Sequence, residues 1–321
     1  MKIFFSHRVQ GDIDDLLLPD CEIIINPYER TLTPDEVKPL LADMDGILWA
    51  SGKMDRSIMD AAPKLKVICC YGAGSDHIDV THATERGIVV ANLPDHVTES
   101  TAELTWALIL AAARRITEAD RFVRQQDKYE WSLRLMVGTH LCGKQLGIIG
   151  MGRIGQAVAR RAQAFAMSVA YYSRTAKPDV EKSLAARPMD LETLLSTSDV
   201  ISVHVPLTPE TRHLISEKEL ALMKPGAILI NAARGSIVDQ AALIQTLAQN
   251  KIRAAGLDVY EQEPFVPQVL REMDQVVLAP HIGSATNESR SAMTRAALEN
   301  ILLVLQDKRP ASVVNPEVYA S

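Results

Sequence analysis

Short apolar runs alternate with stretches of helical spacing along this chain, and they do so twice. In the first hundred residues KIFF, CEIII, GILWA, KVICC and GIVVAN have the length and makeup of buried strands. Between them, TPDEVKPLLADM and DRSIMDAAPKL carry the helical period. A second series follows: QLGIIG, SVAYYS, DVISVHV, AILINA, AAGLDV and QVVLAP. Strands that alternate with helices are the mark of crossover units and a parallel sheet. Two such series in 321 residues predict an α/β chain of two domains, each with its own parallel sheet.

No low-complexity linker separates the two series. The junctions read as helices instead: ESTAELTWALILAAARRITEADRFVRQQ after Pro94, and ATNESRSAMTRAALENILLVLQ near the end. Such helices suit a chain that leaves its first domain, builds the second and returns. The expected division is residues 1–98 plus 288–321 for one domain and 99–287 for the other. The net charge of −6, without a basic block or interleaved aromatics, argues against a nucleic-acid partner. WALILAAA, the longest apolar run inside a helix, is too short to span a bilayer, so no membrane partner is expected. Cys21, Cys69, Cys70 and Cys142 form no C-x-x-C pair and read as reduced thiols. The opening MKIFFSHRVQGDIDD carries no long apolar segment or cleavage site, so a cytoplasmic protein is expected.

The stretch LGIIGMGRIGQAVARRAQAF places Gly150, Gly152 and Gly155 in G-x-G-x-x-G spacing. The pattern alone is weak, but here it directly follows an apolar strand and opens a helix. Gly150 permits a tight turn, Gly152 lets backbone approach a pyrophosphate, and Gly155 lets helix and strand pack closely. Arg153 and Ile154 lie inside this turn and join the cofactor candidates. The helix N-terminus offers N–H groups and partial positive charge to phosphates. A tight turn without a ligand is the bland alternative.

In an NAD site an acid closes the next strand and accepts from the adenine ribose hydroxyls. Here VAYYSRT closes it with Ser173, Arg174 and Thr175. Arginine brings a permanent charge and a planar donor fork that suits phosphate, and no acid is present to repel a 2′-phosphate. The strand end therefore favours NADP(H), with NAD(H) possible. An Arg174 that stacks on adenine or faces solvent, leaving dual specificity, stays open.

Hydride transfer to an oxo-acid needs donors for the carboxylate, a proton donor for the carbonyl oxygen and a group that tunes that donor. Arg234 in INAARGSIVD, Glu263 in GLDVYEQEP and His281 in LAPHIGSAT each follow a strand, where ligands of open α/β sheets bind. A histidine with one ring nitrogen on a carboxylate is held in one orientation and can donate a proton near neutral pH. Singly, each residue has a bland reading as a surface charge or structural side chain. His7, His82, His96, His140 and His213 keep the structural reading. No metal enters the scheme.

Together GIIGMGRIGQAVA, NAARGSIVD, AAGLDVYEQEP and APHIGSAT strongly resemble the D-isomer-specific 2-hydroxyacid dehydrogenases, over nearly the whole chain. Within that family the likeness is greatest to NADPH-preferring glyoxylate/hydroxypyruvate and 2-ketogluconate reductases, with YYSRT and VVNPEV adding to it. The resemblance implies two Rossmann-like or flavodoxin-like domains with the active site in the cleft between them. It matches Arg234, Glu263 and His281 to the catalytic arginine, glutamate and proton-donating histidine, with Arg234 and His281 also on the substrate. Asp258 and Thr101 match nicotinamide-side contacts, and Ala232 a contact beside the nicotinamide ribose. His204, Val205, Pro206 and Thr211 match the loop lining the adenosine half. Ala73 and Gly74 match the loop whose N–H groups receive the substrate carboxylate.

The resemblance further implies a homodimer held by a segment near residues 100–140, and a small anionic 2-oxo or 2-hydroxy acid as ligand. Trp131 reads equally as a residue sent into the neighbour's site and as interface packing. Two alternatives remain beside reduction of a 2-oxo acid: a dinucleotide-sensing protein of corepressor type on the same fold, and a phosphoglycerate dehydrogenase without its regulatory domain.

Overall fold

The computed structural model describes residues 1–320. They divide into two compact units, one formed by Met1–Val97 with the chain from Ser284 onward, the other by Thr98–Gly283.

The first unit holds five parallel strands: β1 (Lys2–Phe5), β2 (Glu22–Ile25), β3 (Gly46–Trp49), β4 (Val67–Cys70) and β5 (Val89–Ala91). Their order is β2-β1-β3-β4-β5, so the direction of winding reverses between β1 and β3. β3 and β4 are buried along their whole length, which is why they read as unbroken apolar runs rather than alternating ones. Phe4, Ile47, Trp49, Ile68, Cys70 and Val90 form one core with Val37, Leu41, Met54, Ile58 and Met59. The helices begin where the sequence supplies acceptors: Asp55 accepts from Ile58 N–H, and Thr33 with Glu36 forms a reciprocal capping box.

Helix Asn287–Leu305 covers β3 and β4 of this sheet. It approaches closely at Gly46, where an added Cβ would fall 2.6 Å from Ile301 Cγ2. Beyond it the tail clips the open edge of β5. Val314 N–H donates to Val90 O at 2.8 Å, and Asn315 accepts from Val90 N–H and donates to Ile88 O. An edge strand whose backbone groups are used in this way offers little to a foreign strand.

The second unit holds seven parallel strands: β6 (Gln145–Ile149), β7 (Ser168–Tyr172), β8 (Arg187–Pro188), β9 (Val200–Val203), β10 (Ile228–Asn231), β11 (Ala254–Leu257) and β12 (Val276–Leu278). The order β12-β11-β10-β9-β6-β7-β8 is the doubly wound one, reversing between β6 and β9. Alternate residues of β6 face opposite cores: Leu146 and Ile148 one, Ile149 the other. β8 is an addition to the expected strands. Two residues with a proline carry no periodic signal, and edge position is where proline is tolerated.

The long stretch expected as one helix after Pro94 is two, Thr98–Arg114 and Ile116–Arg124. Arg115 between them has φ 55°, a left-handed conformation that ends the first helix. Its guanidinium pairs with Glu118 of the second. The first helix packs on β10, β11 and β12 and on helix Arg153–Ala162. Trp106 stacks on Phe165 with ring centroids 4.4 Å apart and donates to Val158 O. Among the described residues no helix is long and apolar enough to cross a membrane.

Candidate active site

The glycine turn between β6 and helix Arg153–Ala162 is built as the spacing suggests. Gly150 has φ 99°, and a Cβ there would lie 2.6 Å from His204 O and 2.8 Å from Val205 Cγ1. At Gly155 a Cβ would fall 2.1 Å from Gly150 O, so only glycine lets the helix sit this close to the strand. Gly152 is the helix cap, and a Cβ there would meet nothing within 4 Å. Open space over this backbone, where Arg153 and Ile154 begin the helix, suits the approach of a phosphate to the helix N-terminus. These observations fit a bound dinucleotide.

Beside this turn, at the end of β9, the His204 ring sits against Ser202, whose Oγ is 2.7 Å from Nε2. Nδ1 is enclosed without a hydrogen-bond partner among the described residues. Burial pushes the imidazole from its usual 6.5 down to about 4. The unfolded chain therefore takes this proton near pH 6.5 and the folded chain only near pH 4, so stability falls as pH drops through that window. His204→Asn is expected to remove roughly 1–3 kcal/mol of this acid-side loss, read from urea midpoints at pH 4.5 and pH 7.5. A midpoint difference identical to wild type would contradict the assignment.

Farther along the loop, Thr211 Oγ1 donates to Pro206 O at 2.7 Å and accepts from Thr208 N–H, so its hydroxyl shapes the loop itself. Arg174 is exposed at the end of β7, with Ser173 and Thr175 beside it. Its charge reaches Glu210 of the same loop. The Thr208 hydroxyl first, and Arg174 less, hold that carboxyl below its ordinary value. The turn carrying Arg174 is fixed from behind: the Tyr171 hydroxyl accepts from Lys177 N–H at 2.9 Å and donates to Glu181 at 2.5 Å.

The ends of β10, β11 and β12 bring three more segments together. After β10, Asn231 brackets the turn, accepting from Ala233 N–H and donating to Arg234 O, with Ala232 buried between. Arg234 donates through Nη1 to Ala233 O. Gly235 follows, and a Cβ there would fall 1.9 Å from the Tyr260 carbonyl carbon. The Arg234 turn therefore lies directly on the turn that leads to Glu263. His213 ties the same two segments: its N–H donates to Ser236 O, and its Nε2 lies 2.7 Å from Glu261.

Asp258 closes β11 and is fully buried. His281 N–H donates to its carbonyl, Ile282 N–H to Oδ1 and Gly283 N–H to Oδ2, all within 2.9 Å. Burial, the largest influence, raises its carboxyl above the ordinary value, against the pull of those N–H groups and the His281 charge. Thr101 reaches the same spot, since a Cβ on Gly283 would meet both Thr101 Oγ1 and Asp258 Oδ2 at 3.3 Å.

His281 itself has φ 56°, an unusual conformation for a residue with a side chain, held by the Asp258 contacts. The ring reaches Glu263, with Nδ1 2.7 Å from Oε2. Glu263 Oε1 accepts from Tyr260 N–H at 3.0 Å. Burial pushes the Glu263 carboxyl up, but the His281 hydrogen bond and charge, the Tyr260 N–H and the Arg234 charge leave it below its ordinary value. An ionised Glu263 accepts, so Nδ1 carries a hydrogen and Nε2 is the nitrogen left to handle a proton. With about half of its side chain exposed, His281 is accessible to a reactant.

In the first unit, Ala73 and Gly74 lie in the loop of residues 71–79 between β4 and helix Val80–Glu85. Sequence reasoning passed over the groups that hold this loop. Asn92 donates to Ala73 O and the Cys70 thiol to Gly74 O. It also passed over Gly235 and the His213–Glu261 pair. The glycine directly after Arg234 was the one legible hint, since a glycine there marks close approach of another backbone.

A family model described as D-isomer specific 2-hydroxyacid dehydrogenase, NAD binding domain, matches residues 106–283. A glyoxylate reductase of Thermococcus litoralis is 50% identical over 279 residues, 86% of this chain and 84% of that protein. One from Thermococcus gammatolerans is 43% identical over 322 residues, covering 99% and 96%. The crystal structure of an NADPH-dependent glyoxylate/hydroxypyruvate reductase from Sinorhizobium meliloti, in complex with NADP and malonate, matches with a TM-score of 0.85. Identity there is 33%, over 98% of this chain and 96% of that one.

Proposed function

The chain belongs to the D-isomer-specific 2-hydroxyacid dehydrogenases, and on that premise we propose that it reduces a small 2-oxo acid to the D-2-hydroxy acid with NADPH as preferred reductant. Membership makes it an NAD(P)-dependent enzyme of glyoxylate-reductase type. Glyoxylate, hydroxypyruvate and 2-ketogluconate are the substrates proposed for it. The observation that carries the reading is the 2.7 Å contact of His281 with Glu263, on strand ends shared with Arg234.

When bound, the nicotinamide supplies the hydride to the carbonyl carbon. His281 Nε2 gives a proton to the carbonyl oxygen, and Glu263 holds the ring in the tautomer that leaves Nε2 available and stabilises its cation. Arg234 receives the substrate carboxylate on its planar fork and polarises the adjoining carbonyl. The N–H groups of Ala73 and Gly74, on the first unit, are proposed as donors to a substrate carboxylate. Asp258, Thr101 and Ala232 serve the nicotinamide end, and Gly150, Gly152, Arg153, Ile154 and Gly155 the pyrophosphate. His204, Val205, Pro206 and Thr211 line the adenosine half. Oxidation of NADPH with the three oxo acids tests the reading. Turnover on at least one supports it, and no turnover on any favours a dinucleotide-sensing protein.

Ser173, Arg174 and Thr175 are proposed to receive the 2′-phosphate. Arg174→Asp is expected to shift preference toward NADH. It removes a charge-assisted hydrogen bond of roughly 1.5–3 kcal/mol and adds an acid that repels phosphate. The ratio of kcat/KM for NADPH and NADH is expected to fall by at least about tenfold, since that takes only about 1.4 kcal/mol. An unchanged ratio, or a wild type that already prefers NADH, removes this assignment.

A homodimer is proposed as well. Trp131 and Leu133 are 73% and 85% exposed in the segment assigned to the partner contact, with Tyr129 and Val137 exposed beside them in sequence, and a run of exposed large apolar side chains suits an interface. A monomeric mass in solution would contradict it.

A further inference from the structure

The carbonyls of the loop after β4 are anchored one after another. Gly72 O accepts from Leu93 N–H at 2.8 Å. Ala73 O accepts from Asn92 Nδ2 at 2.7 Å, and Gly74 O from the Cys70 thiol at 2.8 Å. Across a planar trans peptide, each carbonyl points opposite to the N–H of the next residue. Three anchored carbonyls therefore fix the peptide planes that carry the N–H groups of Ala73, Gly74 and Ser75. Successive N–H groups in a turn form an anion-binding concavity. One anchor is local and the others come from farther along the chain. Cys70 is buried at the end of β4, and His77 Nε2 lies 3.7 Å from its sulfur. Asn92 follows β5, and its own Oδ1 accepts from the Ser312 hydroxyl at 2.5 Å. Ser312 belongs to the tail that clips β5, so the last part of the chain reaches the loop through one side chain.

We infer that Cys70, Asn92 and Ser312 are positioning residues for the substrate carboxylate, holding the loop carbonyls so that three successive N–H groups face one anion. This deepens the functional reading above and rests on it. Cys70 and Asn92 act through the peptides they restrain, and Ser312 acts through Asn92. The anchors stand on the first unit alone, so they set carboxylate affinity and leave cofactor affinity untouched.

The test uses full-length enzyme with glyoxylate, with oxamate as a carboxylate probe and with NADPH. Asn92→Ala is expected to raise KM for glyoxylate and Ki for oxamate together by about five- to tenfold, the scale of one lost hydrogen bond. Its kcat and its NADPH Kd should stay near wild type. Ser312→Ala should act in the same direction but more weakly, because it acts through Asn92. Cys70→Ala should raise both constants, and Cys70→Ser, which keeps a donor, should restore them in part. Melting temperatures recorded alongside identify a variant that is merely unfolded, and Ser312→Ala, the mildest change, then decides. Unchanged Ki and KM in the folded variants overturn the inference. A rise in NADPH Kd equal to the rise in Ki also overturns it, by showing a global effect. Wild-type enzyme inactive on every 2-oxo acid overturns the functional reading, and this inference with it.

Discussion

Replacing His281 by alanine is expected to lower turnover by about 100- to 10,000-fold, the range for loss of a positioned general acid, with NADPH binding nearly unchanged. The size follows from how the ring is held. Its Nδ1 sits 2.7 Å from a Glu263 carboxylate that is held below its ordinary pKa, which fixes the tautomer and leaves Nε2 for the carbonyl oxygen. Its backbone is pinned by Asp258 in a left-handed conformation. The side chain can therefore be removed without releasing the chain that carries it. Single-turnover kinetics at neutral pH, with NADPH binding read by fluorescence, separate the two effects. Near-normal turnover would take His281 out of the mechanism.

Arg234→Lys is expected to cost about 100-fold in kcat/KM for 2-oxo acids, the scale of a misplaced reactant, although the charge is kept. Lysine loses the planar fork, and its ammonium is a point charge on a flexible stem. The backbone around Arg234 has little freedom to compensate. Asn231 grips the turn on both sides, and Gly235 leaves no room against Tyr260. Equal activity of the lysine variant would reduce Arg234 to a general positive field.

Most strands were legible because they are buried on both faces and read as plain apolar runs. β8 was not, since Arg187–Pro188 has neither length nor period. The break at Arg115 was not legible either: an arginine in the left-handed region leaves none of the glycine or proline signal that usually marks a helix end. The glycine turn was legible because Gly150 and Gly155 answer to close approaches that the spacing implies, while Gly152 leaves the backbone open. Arg234, Glu263 and His281 could be picked out as charged or polar residues after strands. Their mutual contacts could not, because Glu263 and His281 meet only when β11 and β12 pair. The anchors of the Ala73–Gly74 loop were the least visible. An asparagine, a thiol and a serine on three separate segments carry no local signature, and only the fold brings Ser312 to Asn92.

The most direct test of the central claim is reduction of hydroxypyruvate by the purified enzyme with NADPH, followed by chiral analysis of the product. Glyoxylate cannot serve here, because its product has no stereocentre. The account predicts one D-glycerate formed for each NADPH consumed, at a kcat/KM at least about tenfold above that with NADH. Formation of the L-enantiomer, or no NADPH consumption with this or any other 2-oxo acid, would contradict it.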